Sequence, residues 1–197
     1  MPDELPAPDP VCCALFLILS FSLAGVAQTW WFRSPRSERF AVPLDGGRTF
    51  RGRRIFGSNK TWKGFVVMVP ATALAFLVVG TLARVLPVGR GLWPLSPAGY
   101  AWLGAVASGG FMAGELPNSF VKRQLAIAPG DAPRARGARC IAFAMDRLDS
   151  ILGMLLAVSL AVPTAWQVWA LVLCLGPGIH WLFNVALFLL GVKARPA

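Results

Sequence analysis

The sequence predicts an all-α integral membrane protein with about five transmembrane helices and two basic cytoplasmic loops. Of the 197 residues, 56% are hydrophobic and only 14% are charged, whereas a soluble domain carries about 25% charged residues. The apolar residues gather into five long runs, and most Lys and Arg residues lie in two segments between those runs. The apolar excess therefore faces lipid, and the charge is confined to loops.

The five apolar runs are assigned to helices because crossing the hydrocarbon core takes about 20 apolar residues. The first run ends in Trp30 and Trp31, a pair typical of the aromatic belt at a membrane surface. The last run contains Gly-Pro-Gly at 176–178; it is interpreted as one kinked helix, with a re-entrant pair as the alternative. The predicted spans are residues 11–31, 65–86, 98–121, 146–162 and 165–192.

Loop charge predicts the orientation of the chain. Nine of the 19 Lys and Arg residues lie between positions 33 and 63, and six between 122 and 147. Positive loops stay on the cytoplasmic side, so loops 32–64 and 122–146 and the tail with Lys193 and Arg195 are predicted to be cytoplasmic. The acidic start lacks the basic n-region of a signal peptide, so the first run is expected to remain an anchor. The whole chain, 1–197, is predicted to be one multi-pass domain in the cell inner (cytoplasmic) membrane.

Several functional classes find no support in the sequence. Basic loops held against a bilayer suit anionic lipid headgroups and nucleotide phosphates better than nucleic acid, so no nucleic-acid partner is expected. The four cysteines have no CxxC spacing and no disulfide framework. His180 is the single histidine and is interpreted as a polar contact between helices rather than a catalytic base. Covalent catalysis has little support, because no nucleophile stands beside a base.

The first basic loop combines positive charge with glycine and small polar residues. Its glycines let the backbone approach a ligand and adopt positive φ. Residues 57–61, Gly-Ser-Asn-Lys-Thr, look superficially like a phosphate-binding loop but lack the GxxxxGK[ST] spacing. Two interpretations follow: a juxtamembrane loop held on anionic lipid, or a shaped phosphate site, which the Gly, Asn and Thr content favours.

A second polar cluster closes the third run. Glu115, Ser119 and Lys122 are spaced i, i+4 and i+7, so they share a helix face if Pro117 only kinks the helix. A carboxylate near the end of a span is costly unless it is paired or metal-bound. Glu115 is therefore expected either to bind a metal ion or to pair with Lys122.

The third cluster, Asp146 and Asp149 at i and i+3, opens the fourth run. Two carboxylates this close repel each other unless a divalent cation or an arginine neutralises them. Helix capping by Asp146 would explain one of the two but not the other. Acidic residues next to phosphate-seeking bases are what metal-assisted nucleotidyl transfer requires.

These motifs together resemble those of a known enzyme family. Residues 119–123, SFVKR, and 146–150, DRLDS, are similar to the signature of the phosphatidate cytidylyltransferases. Residues 43–65, PLDGGRTFRGRRIFGSNKTWKGF, and 180–193, HWLFNVALFLLGVK, more closely resemble the smaller CDP-archaeol synthase family, which has five transmembrane helices and two cytoplasmic loops. The chain departs from the pattern at Glu115, where the family has Asp, and at 143–145, where Phe-Ala-Met replaces the His-Gly-Gly of many phosphatidate enzymes.

The resemblance implies a CTP-dependent nucleotidyltransferase that transfers a cytidylyl group from CTP to a membrane lipid phosphate, giving a CDP-lipid and pyrophosphate. It implies catalytic roles for Lys122, Asp146 and Asp149, and Mg²⁺, with Mn²⁺ as the alternative ion, on Glu115, Asp146 and Asp149. The residues implied to bind CTP and its phosphates are Arg53, Arg54, Gly57, Ser58, Asn59, Lys60, Thr61, Ser119, Lys122 and Arg123.

The expected partners are CTP, a membrane lipid phosphate and bilayer lipids. The alternative function is a non-catalytic lipid-binding or transport component whose basic loops hold anionic lipid. That alternative explains the placement of charge but leaves the paired Asp146 and Asp149 without a role. Within the CDP-archaeol branch, an ether or isoprenoid-derived lipid phosphate is expected to compete with phosphatidate.

Overall fold

The computed structural model describes residues 7–86, 91–129, 131 and 136–191. The predicted helical membrane fold is confirmed, and the described residues form five long helices. Between the first two helices lie a 3-10 helix, Pro35–Phe40, and a short antiparallel pair of strands, β1 Thr49–Phe50 and β2 Arg53–Arg54. The long helices are α1 Pro10–Arg33, α2 Trp62–Ala83, α3 Pro97–Gln124, α4 Arg136–Ala161 and α5 Trp166–Leu189.

Three of these helices, α1, α2 and α5, are long and apolar enough to cross a membrane by length and composition. The helices α3 and α4 are more polar, because the polar clusters identified in the sequence fall inside them. The helix α5 continues through Pro177, in agreement with one helix rather than a re-entrant pair. The acidic residues 1–6 and the basic tail 192–197 lie outside the described residues.

The main difference from the predicted boundaries is in the second basic loop. The helix α4 begins at Arg136, ten residues before the predicted start at 146, and α3 extends to Gln124. The loop expected at 122–146 is therefore much shorter, although residues 130 and 132–135 within it are outside the described part. The predicted boundary was placed at the charged segment that opens the apolar run, but Arg, Ala and Met are good helix formers, so the helix starts well before the apolar run.

The five helices form a ring. Each helix packs against its neighbours in the chain, and α5 returns to pack against α1; within the described ranges no other pair of long helices is in backbone contact. One end of the ring is closed by two hydrogen bonds, from Asp9 N–H to the Gly91 carbonyl at 2.8 Å and from the Trp93 indole N–H to the Pro163 carbonyl at 2.7 Å. The basic loop between α1 and α2 lies at the opposite end, called here the basic end.

Several aromatic side chains of the core lie near the end closed by Trp93. The rings of Phe16 and Phe76 meet edge to face, 4.8 Å apart between centroids. The Tyr100 hydroxyl donates to the Trp93 carbonyl at 2.6 Å, so this buried phenol is satisfied. Such packing among α1, α2 and α3 holds the ring together away from the polar clusters.

Helices α3 and α4 approach each other closely along a glycine seam. A Cβ atom added to Gly110 would overlap the Gly153 carbonyl, and one added to Gly153 would overlap the Gly110 carbonyl. One turn nearer the basic end, Gly114 lies against the carbonyl of Asp149. Small residues of this kind let helix backbones meet in lipid. The seam brings the polar ends of α3 and α4 within hydrogen-bonding reach of each other.

This seam predicts opposite effects for two adjacent substitutions. Gly110→Ala forces a methyl group into the α4 backbone and is expected to lower the free energy of unfolding by about 1–3 kcal/mol, the usual cost of overpacking. Gly109→Ala is the control, because no atom lies within 4 Å of its added methyl group and alanine favours a helix. Thermal unfolding in detergent measures both; equal melting temperatures would contradict the assigned contact.

Candidate active site

The basic loop between α1 and α2 is organised around Asp45. Its side chain has no exposed surface and accepts hydrogen bonds from the backbone N–H groups of Gly47 at 3.0 Å, Phe56 at 3.1 Å and Gly57 at 3.0 Å. The Arg54 guanidinium pairs with the same carboxylate. One buried carboxylate thus ties the start of the loop to the segment just before α2.

The Arg54 guanidinium holds the pKa of Asp45 well below its usual range, and the three backbone N–H groups act in the same direction while burial opposes them. The same pair raises the pKa of Arg54. Sequence reasoning missed Asp45, although the Asp-Gly-Gly turn at 45–47 was a signal for it. It also assigned Arg54 to phosphate, whereas the structure places Arg54 on Asp45.

The loop docks on the basic end of α3. The Arg53 guanidinium donates to the Gln124 carbonyl of α3. Within the loop, the Leu44 N–H donates to the Lys60 carbonyl at 2.8 Å. Gly57 has a φ of +93°, and a Cβ atom added there would lie 3.2 Å from Cδ of Arg123. Glycine at this position therefore meets both a backbone and a packing requirement.

Arg123 sits beside Gly57 with unused hydrogen-bonding capacity. The residue is 8% exposed, and its Nη2 donates to the Ala128 carbonyl at 3.3 Å. Its Nε and Nη1 atoms are buried without a hydrogen-bond partner. A buried cation with unsatisfied donors is costly, and a phosphate oxygen would satisfy both donors. The phosphate-binding role of Arg123 stays a prediction, which these unsatisfied donors favour.

A continuous chain of polar contacts crosses the glycine seam; it is called here the carboxylate chain. Its middle member is Asn118, whose side-chain nitrogen donates to Asp146 Oδ1 at 2.6 Å and to Asp149 Oδ2 at 2.8 Å. Beyond Asp149, the Ser150 hydroxyl lies 3.2 Å from Asp149 Oδ1 and donates to Glu115 Oε1 at 2.8 Å. Neither Asn118 nor Ser150 was assigned a role from the sequence.

A lysine stands at each end of the carboxylate chain. Lys122 pairs with Asp146, and Lys60 pairs with Glu115. Burial lowers the pKa of Lys60, whereas the negative charges of Glu115, Asp149 and Asp146 raise it. The effect of the carboxylates is the larger, so the net shift of the pKa is upward and the ammonium stays protonated. Three carboxylates are thus balanced by two lysines, and both lysines are donors that phosphate groups could also engage.

Two of the alternatives left open by the sequence are wrong in this structure. Glu115 does not pair with Lys122, because that lysine binds Asp146 and Glu115 binds Lys60. Asp146 is not a helix cap, because α4 begins ten residues earlier and Asp146 lies well inside it. Both errors arise from the same cause, since the early start of α4 places its carboxylates opposite α3.

The carboxylates of Asp146 and Asp149 are suitable ligands for a divalent cation. Both carboxylates converge on a single nitrogen atom of Asn118, and carboxylate oxygen is the ligand that Mg²⁺ prefers. Across the described ranges, no group of three His, Cys, Asp or Glu residues lies close enough to hold a metal ion. Glu115, the third predicted ligand, is linked to Asp149 through Ser150 and turns its other oxygen to Lys60.

The remaining predicted site residues are spread over two surfaces. Asn59, Lys60 and Thr61 line a cavity inside the ring, whereas Ser58 is exposed and Ser119 is buried on α3. The structure therefore brings together Lys60, Glu115, Lys122, Asp146 and Asp149, with Arg123 and Gly57 in a second group. Arg54 binds Asp45 within the loop, and Arg53 binds the Gln124 carbonyl at the end of α3.

Asp45→Asn tests the organising role of this carboxylate. The variant loses the charge that Arg54 and the backbone N–H groups stabilise, so trypsin is expected to cut the arginine-rich loop faster than in wild type. Glu38→Gln is the matched control, because Glu38 forms an exposed pair with Lys63, which is worth about 0–1 kcal/mol. Equal cleavage rates in the two variants would contradict the role of Asp45.

The same variant has a defined pH dependence. Because folding lowers the pKa of Asp45, its contribution to stability is complete above the ordinary carboxyl value of about 3.9. It is lost as pH falls through the lower folded-state pKa. The difference in unfolding free energy between wild type and Asp45→Asn should stay constant above about pH 5 and shrink in stronger acid. A difference that grew on acidification would show that the sign is wrong.

Known proteins resemble this chain in sequence and fold. The CDP-archaeol synthase from Thermofilum pendens is 31% identical over 96% of this chain and 82% of its own length. The enzymes of the same name from Halobacterium salinarum and Pyrococcus furiosus are 35% and 32% identical over 78% and 79% of this chain, and over 82% and 83% of their own lengths. A solved structure described as an intramembrane enzyme for archaeal membrane lipids biosynthesis shares the fold, with a TM-score of 0.59 and 22% identity over 87% of this chain and 92% of the other.

The family is established by its own sequence pattern. The model of the CarS-like CDP-archaeol synthase family matches residues 40–196, which include most of the first basic loop, the second basic loop and the whole carboxylate chain. This match confirms the resemblance inferred from the motifs and decides against the non-catalytic alternative. The chain belongs to the CDP-archaeol synthase family of CTP-dependent cytidylyltransferases, which act on a lipid phosphate.

Proposed function

We propose that the carboxylate chain between α3 and α4 is where this protein transfers the cytidylyl group of CTP to a lipid phosphate. An oxygen of the lipid phosphate attacks the α-phosphorus of CTP. The new P–O bond forms as the bond to the β-phosphate oxygen breaks, so the products are a CDP-lipid and pyrophosphate. The observation that carries the proposal is the convergence of Asp146 and Asp149 on one point, with Lys122 beside them.

We assign the metal to the same two carboxylates. Asp146 and Asp149 would hold Mg²⁺, or Mn²⁺ as the alternative, and the ion would neutralise charge that develops on the transferring phosphoryl group. Glu115 would complete the ligand set only by exchanging Lys60 for the ion. Without that exchange, its role is to keep Lys60 charged and in place.

The cations around the carboxylate chain would bind phosphates. Arg123 has two unused donors beside Gly57, which suits the triphosphate of CTP. Lys122 reaches the carboxylates from the surface side, and Lys60 reaches them from the cavity side. Of the polar residues at 57–61, Ser58 and Asn59 are exposed and accessible to a nucleotide. Holding two phosphates in one orientation is a large part of catalysis for this type of transfer.

The same arrangement supports a proposed orientation of the protein. The basic loops and the carboxylate chain lie at one end of the ring, and positive loops are retained in the cytoplasm. We place this end, with the C-terminus, on the cytoplasmic side of the cell inner membrane, with all five helices crossing. CTP would then reach the site from the compartment in which it is made.

The activity is tested by release of pyrophosphate from CTP and Mg²⁺ by purified protein. Diether, isoprenoid and diacyl lipid phosphates are compared in one membrane mimetic, and the ether or isoprenoid lipid is expected to give the higher kcat/KM. A preference for diacyl phosphatidate would overturn that lipid assignment and leave the reaction class standing. No turnover with any lipid phosphate, by protein that unfolds cooperatively, would refute the proposed function.

Asp146→Asn and Asp149→Asn test the metal assignment. Each variant is expected to lower kcat by at least about a hundred-fold, the scale on which removing one transition-state stabiliser acts, while the melting temperature changes little. Asp9→Asn is the control, because this residue caps α1 at the far end of the ring and asparagine caps almost equally well. Near-wild-type turnover by both site variants would rule out Asp146 and Asp149 as metal ligands.

A further inference from the structure

A cavity of about 500 Å³ lies inside the helix ring and extends to its basic end. All five helices and the segment before α2 contribute to its wall. Its lining follows α1 from Leu17 to Phe32 and α5 from Val172 to Leu187, which is about 22 Å along each helix at the usual rise per residue. The volume lies within the range of about 300–1,000 Å³ that is typical of ligand sites, and the shape is elongated along the helices.

The two ends of this cavity differ in chemistry. At the basic end the wall contains Lys60, Thr61 and Glu115, together with Gln28 of α1 and Asn184 of α5. Deeper in the ring the wall is apolar, and its side chains include Leu17, Phe21, Met68, Met154 and Val172. A ligand that fills this space therefore needs a polar, anionic head and a long hydrocarbon body.

The carboxylate chain borders this cavity at one end and reaches the exposed surface at the other. Lys60 and Glu115 line the cavity, while Asp146, at the other end of the chain, has a carboxylate that is 45% exposed. The cavity and the exposed surface thus meet the same row of carboxylates at its two ends. Phosphoryl transfer needs the attacking and leaving oxygens roughly in line across the phosphorus, and two substrates that approach from opposite sides meet that requirement.

We infer that the cavity holds one hydrocarbon chain of the lipid phosphate substrate, with the phosphate beside Lys60, and that CTP binds on the exposed side of the carboxylate chain. This inference rests on the proposed function and adds the location of the lipid. One leaflet of a bilayer is about 15 Å of hydrocarbon, so a chain of that length fits within the cavity. A volume of about 500 Å³ suits one such chain, which leaves the second chain against the outside of the helices.

The wall of the cavity suits a flexible chain. Met68, Met112 and Met154 line it, and methionine adapts its shape to irregular apolar ligands. The helix α5 forms one side and is weakly embedded, because Val168, Val172 and Leu187 are its buried residues among those described. Small movements of α5 would change the width of the cavity without disturbing the core around Phe16 and Phe76.

Ile179→Phe is the test, because Ile179 lines the cavity on α5 and the larger ring would occupy part of it. The kcat/KM for a long-chain diether lipid phosphate should fall about ten-fold or more, the scale of a methylene-sized mismatch in an apolar pocket. The KM for CTP and the kcat/KM for a short-chain, water-soluble analogue should not change. Leu182→Phe is the matched control, because Leu182 is 59% exposed on the outer face of the same helix.

The binding of the lipid is also measured without turnover, by native mass spectrometry of protein released from detergent with the long-chain diether lipid phosphate. Wild type and Leu182→Phe should retain one lipid, and Ile179→Phe should retain less. Equal losses in both variants, or none in either, would overturn the location while leaving the activity of the wild type intact. Wild type that retains the lipid but releases no pyrophosphate would refute the proposed function and not the lipid site.

Discussion

The close contact between α3 and α4 is the constraint on which the rest of the site depends. Polar side chains near a membrane interior are costly unless they find partners, and the partners here come from different helices. Because Gly110, Gly114 and Gly153 let the backbones touch, Asn118 on α3 can donate to both aspartates of α4. A bulkier seam would move the helices apart and leave the carboxylates without donors. The glycines therefore affect the site by setting the distance between the α3 and α4 backbones.

The basic loop illustrates a second way of placing charge, in which one carboxylate organises several cations. Asp45 binds Arg54 and three backbone N–H groups, and the loop that results lies against Arg123. Arginines that look equivalent in the sequence then have different tasks. Arg54 forms an ion pair with Asp45 within the loop, whereas Arg123 keeps two buried donors without partners. Unsatisfied donors are tolerated where a ligand will later bind them, which is why Arg123 is the stronger candidate for phosphate.

Sequence reasoning recovered the fold class and most of the carboxylate chain because both depend on local patterns. Apolar runs predicted the helices, and Asp146 and Asp149 at i and i+3 predicted a shared helix face. What it could not recover depends on which helices meet. The sequence suggested a pair between Glu115 and Lys122, whereas each binds a residue of another element. Their actual partners, Lys60 and Asp146, lie 55 and 24 positions away in the sequence. Asn118 was passed over for the same reason, since an amide shows its importance only when two carboxylates stand opposite it.

The ring architecture answers a difficulty that any enzyme of this type faces, because one substrate dissolves in water and the other in lipid. A fully packed bundle would place the carboxylates at its surface and give the lipid no path to them. In this protein the core is dense around Phe16, Phe76 and Trp93, and the space inside the ring lies mainly towards the basic end, where Lys60 and Glu115 face it. The lysine charge at that end attracts the phosphate, and the apolar wall below it accepts a chain. The division of the ring into a packed part and a hollow part thus lets a water-soluble substrate and a lipid substrate reach the same row of carboxylates.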